Sequence, residues 1–98
     1  MKVVVKEPCK PAAVRVIDGS LESMQDIVGG FIRPIHIDRH VVCMANEEGL
    51  VRDLPYNFSI PPHFIYGTAF FCGVDGDEMV GLDEGWIDTI LNHFGGAL

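Results

Sequence analysis

The chain has 98 residues, with 14 Asp and Glu against 7 Lys and Arg, for a formal charge of −7. Its apolar share of 48% excludes a disordered chain, and its length predicts one domain over residues 1–98. No apolar run approaches the roughly 18 residues of a membrane helix, and the apolar part of Met1–Glu7 is too short for a signal peptide, so a cytoplasmic protein without a membrane partner is expected.

Val3–Lys6 reads as a first strand, stopped by Glu7-Pro8, and Ala13–Ile17 as a second that pairs antiparallel with it. Asp18-Gly19-Ser20 is a turn whose Ser20 caps a helix. In that helix Leu21, Met24, Ile27 and Val28 form one apolar stripe, and Gly29-Gly30 ends it. Phe31–Arg33 leads through Pro34 into the alternating segment Ile35–Asp38. Val41–Ala45 is a continuous apolar run, the pattern of a strand covered on both faces. Asn46–Gly49 is a turn from which Leu50–Arg52 starts a returning strand. Residues 53–63 carry Pro55, Pro61 and Pro62 and predict a long surface loop. Phe64–Cys72 is the strongest strand signal, with Gly67 marking a bulge or a close backbone approach. Val74–Asp77 is a turn. Asp83 caps a final helix in which Trp86, Ile87, Ile90, Leu91 and Phe94 share a face, ended by Gly95-Gly96. The order β-β-α-β-β-β-α predicts an α+β fold, a small and mostly antiparallel sheet with two amphipathic helices on one face. Such a sheet leaves a face or an edge to manage, so a homo-oligomer is expected.

The charge is unevenly placed. Residues 1–52 hold all seven basic side chains and seven acids, so the whole −7 lies in residues 53–98. No basic cluster carries interleaved aromatics, which argues against non-specific nucleic-acid binding. Asp75, Asp77, Glu78, Asp83, Glu84 and Asp88 could form an acidic face for a basic partner. Cys9, Cys43 and Cys72 are odd in number and far apart, and the last two lie in apolar runs as small buried hydrophobes.

His36, Asp38 and His40 would project from one face of an extended strand and could ligate zinc or iron, unless the strand breaks near Arg39. Asp75-Gly76-Asp77-Glu78 lacks the spacing of a calcium loop, and no phosphate loop, nucleophile elbow or dinucleotide fingerprint is present. No cofactor is expected, and an enzyme is disfavoured. Polar and aromatic side chains instead gather where a core needs none. Asn46, Glu47, Glu48 and Arg52, with Leu54, Tyr56, Asn57 and Phe58, form the candidate ligand-binding set.

Several segments in order resemble one family. They are Lys6-Glu7-Pro8, Val16–Gln25, Val28-Gly29-Gly30, Asn46–Leu50, Leu54–Asn57 and Gly67–Phe71, and together they resemble the family of domain of unknown function 3846. That resemblance implies an accessory protein of phages, plasmids and gut Firmicutes, but no biochemical activity. Relatives carry a basic residue after Leu-Pro-x-Asn where this chain has Phe58, a departure that argues against a phosphate grip by this loop. The setting implies a non-enzymatic homo-oligomeric binding protein that counters host defence by sequestering a nucleotide-type signal, such as a cyclic nucleotide. The alternatives are an acidic protein–protein inhibitor or DNA mimic, and a small metal-dependent enzyme using His36, Asp38 and His40.

Overall fold

The computed structural model describes residues 1–95. β1 (Lys2–Lys6) pairs antiparallel with β2 (Ala13–Val16), Val4 opposite Val14. After α1 (Leu21–Val28), β3 (Ile32–Asp38) and β4 (Val41–Asn46) form a second antiparallel pair. β5 (Tyr56–Ile60) and β6 (His63–Tyr66) are a separate two-stranded hairpin. β7 (Ala69–Asp75) then enters the main sheet, followed by β8 (Glu78–Val80) and α2 (Glu84–Phe94). The main sheet runs β2-β1-β7-β4-β3, with β8 beside the far end of β7. Every pairing is antiparallel. The fold is α+β, as the order of elements predicts.

The three interior strands are buried along nearly their whole length, Val3–Lys6 in β1, Ala69–Val74 in β7 and Val41–Asn46 in β4. Side chains alternate across a sheet, so burial of every residue requires cover on both faces. Val3, Val5, Val42, Met44, Phe70 and Cys72 point to one face and pack on Met24 and Val28 of α1. Val4, Val41, Cys43, Ala69 and Phe71 point to the other, against Ile87, Ile90 and Leu91 of α2 and Phe58 and Ile65 of the hairpin. The two helices therefore cover opposite faces, which corrects the expectation of two helices on one face.

Three further expectations change. The surface loop expected over residues 53–63 is largely β5, because Phe58 is drawn into the core and stacks on Phe71 at 5.7 Å. Leu50–Arg52 does not start a strand but turns, with Arg52 N donating to Glu48 O and Leu54 N to Gly49 O. The expected strand Phe64–Cys72 is split at Gly67, whose φ of +82° suits glycine and lets the chain leave the hairpin for the main sheet. β8 follows the turn at Asp75–Asp77 as a short strand that the turn residues around it do not predict. Pro34 sits in β3 because that strand is an edge, where a missing N–H costs no ladder bond. Gly29 and Gly95 close the two helices in the left-handed conformation, while Gly96 lies outside the described residues.

The start of α1 is fixed by a small polar network. Ser20 Oγ accepts from Ser23 N at 3.1 Å, and Asp18 Oδ1 accepts from Ser23 Oγ at 2.6 Å and Ser20 N at 2.8 Å. The Ser23 hydroxyl, then the Ser20 N–H, hold the Asp18 carboxyl down from 3.8 to about 2. A value depressed by folding contributes stability above about pH 4, lost as the pH falls through about 2. Asp18→Asn should therefore flatten the acid dependence of the urea midpoint between about pH 5 and about pH 2.5.

Burial pushes the Cys43 thiol up to about 12, with Cys72 adding to it, and the Cys72 thiol up to about 11. Cys9 is exposed. Maleimide labelling of the native protein near neutral pH should modify Cys9 alone, and all three cysteines only in denaturant.

Candidate functional site

A cleft of about 270 Å³ opens between the end of the β3–β4 pair and the hairpin. Arg33 of β3 reaches it because it stands opposite Ala45 and two residues from the core residue Ile35, on the face that carries the hairpin. Its Nη2 lies 2.7 Å from His63 Nδ1 on β6. A guanidinium only donates, so Nδ1 accepts, and this bond ties the hairpin to the main sheet. Asn46, Glu47, Gly49 and Leu50 form the wall on the β4 side, and Phe64 and Tyr66 the wall on the β6 side. Gly49 is required by proximity, since a Cβ there would lie 2.7 Å from Tyr66 O.

The predicted ligand-binding set is divided by the fold. Asn46 is buried at the cleft but its amide is spent on structure, with Nδ2 donating to Val28 O at 3.0 Å and Oδ1 accepting from Glu48 N at 2.8 Å. Glu47 is exposed on the cleft wall. Glu48 and Arg52 face a separate shallow depression at the end of α1, where Arg52 Nη1 donates to Gly29 O at 3.0 Å. Both donors complete carbonyls that a helix C-terminus leaves free.

Leu54, Tyr56, Asn57 and Phe58 do not line the cleft. Leu54 packs against Gly67, and exposed Tyr56 bonds Ser59 Oγ at 2.6 Å. Asn57 is a clasp: its Nδ2 donates to Lys6 O at 2.7 Å and Gly67 O at 2.9 Å. Its Oδ1 accepts from Lys6 Nζ at 3.1 Å, and that ammonium also donates to Glu7 O and lies 5.8 Å from the Phe94 ring centre. Lys6 is thus a buried cation satisfied by neutral partners. Phe58 belongs to the core.

His36, Asp38 and His40 are exposed, and the pairing shifts between His36 and Asp38. That irregularity breaks the alternation a shared face needs, and Asp38 Oδ1 instead accepts from His40 N at 3.1 Å. No group of three His, Cys, Asp or Glu side chains is placed to hold a metal among the described residues. The acids of the second half are all exposed, but Asp83 Oδ1 caps α2 by accepting from Trp86 N, and Glu84 pairs with Lys2 at 3.0 Å. Sequence reading missed Arg33, His63 and Tyr66 as neighbours, since each is an ordinary strand residue until the hairpin folds onto β3.

Fold and cleft together define a small antiparallel α+β domain with a polar cleft at one edge of its sheet. The profile of the family described as domain of unknown function (DUF3846) matches residues 1–95, and the chain belongs to that family. No curated protein and no solved structure matches it. No helix of the described residues is long and apolar enough to cross a membrane.

The two polar anchors at the end of α1 differ in burial, and so should their cost. Asn46→Ala should destabilise the protein by about 2 kcal/mol, because it strands buried partners. Arg52→Ala, at an exposed helix terminus, should cost about 0.5 kcal/mol. Urea unfolding of the two variants checks the order, and equal midpoints would contradict it.

Proposed function

We propose that this domain is a non-enzymatic binding protein that holds a small anionic ligand of nucleotide type in the cleft beside Arg33. The observation that carries this reading is the state of Arg33. Among the described residues it is the one Lys or Arg lining the cleft, and their ion pairs, Lys2–Glu84 and Lys10–Glu7, leave it out. A half-buried guanidinium bonded to a neutral imidazole nitrogen keeps donors in hand for a phosphate or carboxylate. Tyr66 and Phe64 in the same cleft supply ring faces for a base. The ligand contacts are therefore reassigned to Arg33, His63 and Tyr66, with Glu47 retained from the predicted set and Asn46 behind them as scaffold.

Size favours a shared site. A cleft of about 270 Å³ falls below the roughly 300–1,000 Å³ of most small-molecule pockets, so it takes part of a nucleotide. Leu50 and Phe64 at its rim are 69% and 63% exposed, and a second copy of the chain closing over them would complete the enclosure in a homo-oligomer. That the ligand is an immune signal withdrawn from a bacterial host's cytoplasm follows from the mobile-element setting that the resemblance implies.

A thermal-shift panel of cyclic nucleotides and cyclic ADP-ribose isomers tests this function. A true ligand at a hundredfold excess over its Kd should raise Tm by at least about 10 °C, and Arg33→Ala should abolish that rise. No rise with any member, or the same rise in the variant, would overturn the proposal.

A further inference from the structure

A second cavity, of about 230 Å³, lies on the same face of the sheet but on the other side of the hairpin, between β5 and α2. Its surroundings follow from the packing of aromatic residues. Phe58 stacks on Phe71, and Phe94 meets both, with ring centres 4.9 Å from Phe58 and 5.8 Å from Phe71. Trp86 and Ile90 extend this wall along α2, and Ile37, at the irregular end of β3, closes the far side. The hairpin packs on the sheet beside β4 and the helix beside β1, and the two meet through Phe58 and Phe94. The space between them is what remains when two separate elements share one face.

The polar groups are confined to the mouth, where Ser59, Thr89 and His93 are exposed. Among the described residues no Lys or Arg lines the cavity, so its walls offer an anion no counter-charge. The space is open to solvent at its mouth, and an apolar ring seated in it would remove apolar wall from water, which is the term that favours an occupant. We infer that this cavity is a binding site for a flat, largely apolar molecule of one or two fused rings, carrying a single hydrogen-bonding substituent. The ring stacks among Phe58, Phe94 and Trp86, and the substituent points outward to His93 and Thr89. Thr89 Oγ1 spends its proton on Gly85 O at 2.9 Å and is left as an acceptor, which favours a hydroxyl or N–H substituent. This site shares no lining residue with the Arg33 cleft, so the two proposals stand or fall separately.

The sequence contains one Trp, so its indole N–H gives a single resonance that reports on this cavity. Titration of the full chain with 2-naphthol, followed in ¹H–¹⁵N spectra, should shift the Trp86 indole and Thr89 amide signals saturably, with a Kd below about 1 mM. Thr89→Phe places a ring across the mouth and should weaken binding at least about tenfold, while Arg15→Ala, at an exposed position on β2, should leave it unchanged. If Thr89→Phe does not fold, Ile37→Phe fills the opposite side and carries the same expectation. Shifts that stay linear in 2-naphthol, or equal affinity in the folded cavity variant, would overturn the inference. So would a Trp86 signal that moves with protein concentration and ceases to respond to 2-naphthol, since a second copy would then be the occupant.

Discussion

Three neighbouring strands, β1, β7 and β4, bury both of their faces, and the other elements are arranged to allow it. β4 and β7 place Val42, Met44, Phe70 and Cys72 on one side and Val41, Cys43 and Phe71 on the other. Each such side chain contributes roughly 1.5–3 kcal/mol when fully buried, so neither face can be left open to water. The eight residues of α1 serve one face. The other is covered by two unlike elements, the β5–β6 hairpin and α2, and the difference in their shapes leaves the two cavities on that side. Candidate sites are therefore a by-product of how the second face is covered.

Polar side chains hold this arrangement at its ends. Asn46 and Arg52 tie the turn after β4 to the last carbonyls of α1. Asn57 joins β5 to the end of β1 and to the Gly67 bend, with the Lys6 ammonium against it. The Arg33–His63 bond fixes the other end of the hairpin. Asn46, Asn57 and Arg52 are consequently scaffold, and Arg33 is the anchor that also faces open space.

The local signals in the sequence were sound where local chemistry decides. Ser20 and Asp83 cap their helices, Met24 and Val28 of α1 and Ile87, Ile90 and Leu91 of α2 face the core although Leu21 of the α1 stripe is exposed, and Val41–Ala45 is covered on both faces. That last pattern already conflicted with two helices on one face, because a strand buried on both sides needs cover on both. Non-local effects were harder to see. Tyr56–Ile60 alternates weakly, and the prolines at 55, 61 and 62 suggested a loop, yet they flank the strand and occupy the hairpin turn. The candidate site depends on such effects most. Asn and Arg near a turn read as ligand groups, whereas their partners, the carbonyls of Val28 and Gly29, lie on a helix whose end the sequence could mark but not place. His63 and Arg33 are 30 residues apart and become neighbours only through the fold.

The central claim is that the fold presents Arg33 to an anion in the cleft it shares with β6. The most direct measurement is a titration of the ¹⁵N-labelled protein with adenosine monophosphate, resolving the response residue by residue. The account predicts saturable shifts at Arg33 and His63, spreading through residues 45–50 and 62–66 and leaving Lys10, Arg15 and Arg39 undisturbed. Shifts scattered over those exposed basic side chains, or no response in residues 33 and 62–66, would contradict it.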